Sequence, residues 1–306
     1  MRVMLRLAVP LVTVVGLAAV VPAATPAAKS SPHVCSGTFK KPGVIFGTYK
    51  SGVVVKGACF VKSGPAKVIG NLIVTKRSAL AAAFGKNART NKGGSSLTVT
   101  GKMVVGKGAT AFLGCDAESP CIDEPHMKKP TLKSHERISG GLIIKGALGV
   151  VVHNTTIGGK FKSTGGGGGV KCAPAGPFKA VHAPVFSALE DSSVGGNLTI
   201  SGLKSCWLGV ARVHVKGNAT LTNNVLADPD AIEVVSNHIA GNLACTGNSH
   251  PASAPAFAQP VWDSAEQGNP LFPRTPQPNT VGGTRSGQCK LASPTTQGGA
   301  PGPGPF

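Results

Sequence analysis

Short stretches of the chain alternate apolar and polar residues with a period of two, and one such stretch recurs. Its form is aliphatic, any, Gly, often Asn, apolar, any, apolar. It reads Val55-Lys-Gly-Ala-Cys-Phe-Val61, Val68-Ile-Gly-Asn-Leu-Ile-Val74, Val99-Thr-Gly-Lys-Met-Val-Val105 and Ile138-Ser-Gly-Gly-Leu-Ile-Ile144. A weaker copy is Ile157-Gly-Gly-Lys-Phe-Lys-Ser163. Three more are Val194-Gly-Gly-Asn-Leu-Thr-Ile200, Val215-Lys-Gly-Asn-Ala-Thr-Leu221 and Ile239-Ala-Gly-Asn-Leu-Ala-Cys245. A period of two marks a strand with one buried face. The glycine falls on the apolar side of the pattern, where a larger side chain would not fit against a neighbour.

Motif glycines Gly57, Gly70, Gly101, Gly140, Gly159, Gly196, Gly217 and Gly241 are spaced 13, 31, 39, 19, 37, 21 and 24 apart. From Gly101 onward these are one or two multiples of about 20, the length of one solenoid coil. Short strands repeating at that spacing predict an all-β fold, a right-handed parallel β-helix. A β-sandwich is the alternative, but it would not repeat one heptapeptide at one spacing. The reading divides the chain into a leader (1–28), an N-terminal cap (29–54), a β-helix (55–245), a C-terminal cap (246–291) and a disordered tail (292–306). Irregular insertions are expected near 76–96, 115–136 and 164–190; the last two, at the double gaps, are each a degenerate coil or a loop thrown out of the stack. Ala79 to Phe84 is expected as a short helix or irregular turn.

The first residues change the picture from fold to compartment. Arg2 and Arg6 precede an apolar run from Leu7 to Val21, then small residues and prolines. This is the layout of a secretory signal peptide, and the run is shorter than the roughly 20 residues that span a bilayer. The chain has 306 residues, 31 Lys+Arg and 12 Asp+Glu, a formal charge of +19. All eight cysteines follow the leader: Cys35, Cys59, Cys115, Cys121, Cys172, Cys206, Cys245 and Cys289. An even count in an exported chain implies disulfides, and no pair has zinc-site spacing. Cys59 and Cys245 sit in the first and last motif copies, so Cys35–Cys59 and Cys245–Cys289 would staple the two ends. Cys115–Cys121 and Cys172–Cys206 complete a sequential set, one of 105 connectivities open to eight cysteines.

The C-terminal stretch Gly241-Asn-Leu-Ala-Cys245-Thr-Gly-Asn248, with Pro278-Asn-Thr-Val281-Gly-Gly and Ser286-Gly-Gln-Cys289, resembles a group of exported actinobacterial proteins of no assigned function. The resemblance covers residues 190–290 well and the rest in style. It implies a high-GC Gram-positive source and an extracellular site, and it brings no catalytic residues. The Gly-Asn strands are also similar to those of bactofilins, but the leader and the cysteines argue against membership.

Chemistry is sparse. A calcium-dependent lyase would need clustered carboxylates and a basic proton acceptor. The best local set is Asp228, Asp230 and Glu233 beside Arg212, His214 and Lys216, yet Ala227-Asp-Pro-Asp230 reads first as a turn. No carboxylate pair stands out for glycoside hydrolysis, and Trp207, Trp262 and Tyr49 are too scattered to form a sugar platform. The histidines form no metal motif, and His153 and His214 read as half-exposed strand residues. No cofactor or metal is expected. Asn71, Asn197, Asn218 and Asn242 share one motif position and predict an asparagine ladder between coils.

The charge is more suggestive. Arg212, His214 and Lys216 alternate with Val213 and Val215, Lys160 and Lys162 flank Phe161, and Lys56 and Lys102 take outward motif positions. Arrayed along a solenoid, these seven would offer a basic stripe to an anionic cell-wall polymer or an acidic glycan. Nothing suggests specific nucleic-acid reading or a transmembrane span. The expectation is therefore a secreted or envelope-associated monomer, non-catalytic and structural or adhesive. An extracellular polysaccharide lyase or hydrolase is the alternative. A groove holding carboxylates with Lys or Arg would favour that enzyme.

Overall fold

The computed structural model describes residues 30–228, 232–249, 261 and 278–290. The leader, Asp230, Trp262 and the tail 292–306 lie outside the described residues. Within them the chain is all-β apart from one 3-10 turn at Gly176–Val181, and no helix is long and apolar enough to cross a membrane.

The strands stack into three faces. Face 1 holds β1 (His33–Gly37), β4 (Val53–Phe60), β6 (Leu72–Val74), β9 (Met103–Val105), β12 (Leu142–Lys145), β15 (Phe161–Thr164), β18 (Leu198–Ser201), β22 (Ala219–Thr222), β26 (Leu243–Thr246) and β28 (Arg285–Gly287). Face 2 holds β2 (Gly43–Val44), the far half of β4, β7 (Ala79–Ala82), β10 (Thr110–Leu113), β13 (Gly149–Val152), β16 (Phe186–Glu190), β20 (Trp207–Ala211) and β24 (Ile232–Val235). Face 3 holds β3 (Gly47–Tyr49), β5 (Ala66–Val68), β8 (Leu97–Val99), β11 (Glu136–Ile138), β14 (Thr155–Ile157), β17 (Ser193–Val194), β21 (His214–Val215), β25 (His238–Ile239) and β27 (Thr280–Val281). The short strands β19 (Lys204–Ser205) and β23 (Val225–Leu226) pair at the corner between faces 1 and 2. Each strand runs parallel to its counterpart one coil away, as Leu142 lies beside Phe161 and Ile157 beside Val194. This is the parallel β-helix that the repeat predicts. β4 crosses a corner unbroken, so faces 1 and 2 form one 17-stranded sheet beside the nine strands of face 3.

Alternate residues of each strand point inward. Leu72, Val74, Leu97, Val99, Met103, Val105 and Leu142 are wholly buried in one continuous core. Burying such a side chain contributes about 1.5–3 kcal/mol, and stacking repeats that contribution coil after coil.

Two sequence readings need correction. The heptapeptide is not one strand but the corner between faces 3 and 1: Val194 ends β17, Gly195 and Gly196 turn, and Leu198 starts β18. The copy at 55–61 is also out of register. Tyr49 pairs with Val68 and Val53 with Leu72, so the true first corner is residues 49–55, and Gly57 stacks on Gly37 instead. Residues 33–49, read as part of a cap, already pair with the next coil.

The long gaps hide no degenerate coil. Val99 pairs directly with Ile138 across a spacing of 39, and Ile157 with Val194 across 37. Residues 83–96 and 114–135 leave the stack between faces 2 and 3, and 165–185 between faces 1 and 2. These insertions cover the outside of face 2. Phe178 packs on Phe112 and Phe186, each at 5.4 Å between ring centroids, and joins Val151 and Trp207 in a second apolar cluster. That cover explains why face-2 strands lack alternation: Ala79–Ala82, expected as a helix or turn, is strand β7 and buried throughout.

The four disulfides are Cys35–Cys59, Cys115–Cys121, Cys172–Cys206 and Cys245–Cys289, the sequential set. The outer two staple the end coils. Cys172–Cys206 fastens insertion 165–185 to the stack beside β20, and Cys115–Cys121 closes a short loop within insertion 114–135 that packs against Ala83 and Phe112. Four such bonds are consistent with an oxidising, extracellular environment.

Candidate functional site

The corner between faces 1 and 2 repeats a cation on successive coils. Val55, Val74, Val105 and Ile144 are register partners inside face 1. The residues that follow them at the corner are Lys56, Lys76 with Arg77, Lys107 and Lys145, all exposed. The backbone fixes their stacking, because Arg77 N–H donates to Lys107 O at 3.0 Å and Gly108 N–H to Gly146 O at 2.7 Å. Adjacent coils are about 4.8 Å apart, so side chains of like charge rise along the corner at that interval. Among the described residues, none of these five takes part in an ion pair.

The seven cations singled out in the sequence are dispersed. Lys56 belongs to this edge. Lys162 points outward from face 1, in the column that runs Val54, Ile73, Val104, Ile143, Lys162, Thr199, Thr220. Lys102 and Lys160 stand at the corner between faces 3 and 1, where other coils place the ladder asparagines, and Lys216 lies close by. His214 is exposed on face 3, its ring 5.7 Å from that of His238. Arg212 is not on an outward strand face. It sits in a left-handed turn (φ 56°) with its guanidinium paired to Glu118 (3.0 Å), Glu190 (2.8 Å) and Asp191 (2.7 Å). Alternation with Val213 suggested exposure, but the turn between faces 2 and 3 breaks the strand before Val213. His153 is likewise buried at 3% exposure rather than half-exposed.

The ladder asparagines act on backbone. Oδ1 of Asn71, Asn197, Asn218 and Asn242 accepts the N–H of Lys102, Asn218, Asn242 and Thr284 in the next coil, at 2.8–3.0 Å. The motif glycine makes room for this: a Cβ on Gly101 would lie 2.5 Å from Asn71 Oδ1. Two buried ladders escaped the sequence reading. Asn224 donates to Asn248 Oδ1 (2.8 Å), and Asn248 to Gln288 Oε1 (2.9 Å). Asn237 donates to Asn279 Oδ1 (2.9 Å), while its own Oδ1 accepts Val213 N–H. The only sequence trace was a turn-prone residue before each of Asn224, Asn237 and Asn248, and in the structure Asn223, Ser236 and Gly247 take left-handed turns there.

The carboxylates are elsewhere. Asp123 accepts the N–H groups of Gly85 and Lys86, and Glu124 those of His126, Thr131 and Leu132, so both brace the insertions. The Leu132 N–H leads the contacts that hold Glu124 below the usual carboxylate range. Glu136 points into the core, where burial pushes it up to about 8. Asp228 is wholly buried beside Cys206, Glu233 is half-buried on face 2, and Asp230 lies outside the described residues. No outward-facing strand position of face 1 or face 3 carries a carboxylate among the described residues. Trp207 is buried under the insertion and offers no sugar platform.

No family model matches the chain, and no curated protein or solved structure does either.

Proposed function

We propose that this is a secreted, non-catalytic β-helix that attaches to the cell envelope by holding an anionic polymer along the Lys56–Lys145 edge. The observation that carries the reading is one cation or more without an ion pair on each of four consecutive coils, along the margin of face 1, whose outward strand positions carry no carboxylate among the described residues. A linear polyanion meets such a row at many points, and each weak contact adds to the next. The four disulfides and the resemblance of residues 190–290 to exported actinobacterial proteins support the extracellular site.

Cosedimentation with purified cell wall tests the reading, before and after removal of anionic polymers and across salt concentrations. Binding should vanish with the polymers and weaken steeply with salt. Retention on stripped wall, or no binding at low salt, refutes it.

A polysaccharide lyase or hydrolase is the second reading, and one observation favours it. Glu118, Glu190 and Asp191 gather around Arg212. These side chains are only 3–15% accessible, which leaves no open groove for a sugar chain at that point. Incubation with acidic glycans, followed by chain-length analysis, separates the two readings.

A further inference from the structure

The chain has few carboxylates, yet it concentrates them at the corner between faces 2 and 3. Register places His153 beside Glu190 and Asn154 beside Asp191, one coil apart, with Arg212 one coil further on. Insertion 114–135 folds over this corner and adds Asp116 and Glu118. Three of these carboxylates pair with one guanidinium, and the fourth, Asp116, lies beside His153 and Asp191. Glu118 and Glu190 spend one oxygen each on Arg212, and Asp191 uses both of its oxygens. The arrangement still carries excess negative charge in a place largely closed to water.

One buried group there is unexplained by the protein's own contacts. His153 Nδ1 has no hydrogen-bond partner although the residue is 3% exposed, and it lies 4.0 Å from Asp191 Oδ2, beyond hydrogen-bond range. Burying such a nitrogen without a partner costs free energy unless something else binds it. One ligand atom from each of Asp116, His153 and Asp191 lies within 4.8 Å of the others. One Asp116 oxygen accepts the N–H groups of Glu118 and Ser119, which orients that carboxylate.

We infer that Asp116, His153 and Asp191 form a binding site for a divalent transition-metal ion of zinc's class. An imidazole with two carboxylates suits such an ion, whereas calcium and magnesium take all-oxygen sets. Bonds of about 2.0–2.2 Å require the three groups to close in from the 4.8 Å spread of their ligand atoms. Arg212 bridges Asp191 to Glu118 and Glu190, the kind of outer contact that orients a ligand carboxylate. The ion offsets most of the excess charge and ties the insertion to two coils. No sequence motif announces the set, because its members come from three different coils. The other cluster of potential donors, Cys172, Cys206 and Asp228, is excluded because its two sulfurs form a disulfide.

The test is equilibrium dialysis of the chelator-stripped, disulfide-intact chain against Zn²⁺, with bound metal read by atomic emission. A His214→Ala/His238→Ala background removes the adjacent surface imidazoles. The expected result is one saturable ion per chain. His153→Gln and Asp116→Asn should each weaken binding by about 100-fold, beyond the low end of what losing an outer-shell partner costs. Asp116→Asn keeps the turn's acceptor oxygen, and circular dichroism checks that each variant is folded. Absence of saturable Zn²⁺ binding, equal binding by folded variants, or preference for Ca²⁺ over Zn²⁺ overturns the inference.

Discussion

Asn197 Oδ1 occupies the space that a Cβ on Gly217 would need, and it accepts the N–H of Asn218 at 3.0 Å. The same relation joins Asn71 to Gly101, Asn218 to Gly241 and Asn242 to Gly283. Gly and Asn therefore recur together because each coil's glycine accommodates the asparagine of the coil before it.

Gly217→Ala should destabilise the fold by about 1–3 kcal/mol through overpacking. The penalty should shrink in an Asn197→Ala background, with a coupling of about 0.5 kcal/mol or more measured by denaturant unfolding. Equal penalties in both backgrounds would mean that the neighbouring Gly196 backbone alone sets the constraint.

Asn237→Ala should cost more than Asn218→Ala. The exposed ladder bond at Asn218 has a net value of about 1 kcal/mol, and water replaces it. Removing the buried Asn237 amide strands Val213 N–H and Val210 O, each a further cost of about 1–3 kcal/mol. Denaturation midpoints of the two variants decide the order.

Stability should decline as pH rises from about 5 to about 8 on account of Glu136. Burial raises its folded pKa to about 8, and the Leu97 N–H contact opposes that only in part. A carboxyl that holds its proton more tightly when folded contributes most below its unfolded pKa and loses that contribution as pH passes its folded value. Glu136→Gln, which stays neutral, should flatten this part of the profile in thermal melts. An unchanged slope would contradict the assignment.

Much of this architecture was legible because it is periodic. Val194, Leu198 and Ile200 announce buried positions, and Gly196 with Asn197 announces the coil length. The covered face was not legible: Ala79–Ala82 and Gly149–Val152 lose alternation because insertions bury their outer side, and nothing local distinguishes that from a helix. Nor was the Arg212 cluster, since Glu118, Glu190 and Asp191 are joined only by stacking register and a returning loop. The Lys56–Lys145 edge escaped for a related reason. Its members occupy slightly different offsets after the strand, so only the structure aligns them.

Phe178→Ala should cost about 3–5 kcal/mol, as for other wholly buried aromatics. It should also loosen insertion 165–185 before the coils unfold, so trypsin should cut after Lys171 or Lys179 in the variant at temperatures where the wild type resists. Cleavage elsewhere first would argue that the insertion does not depend on this ring.

Lys76→Glu, Lys107→Glu and Lys145→Glu combined should abolish low-salt wall binding, whereas Lys86→Glu and Lys92→Glu, on insertion 83–96, should leave it largely intact. Parallel loss in both sets would point to net charge rather than to the edge.

The proposed edge also implies a direction. A rod charged unevenly around its circumference does not settle at random on a negative surface; it rolls until its row of free cations is down. With the corner between faces 1 and 2 lowered in this way, face 3 would look outward, and the acid-rich corner between faces 2 and 3 would rise along one of its margins.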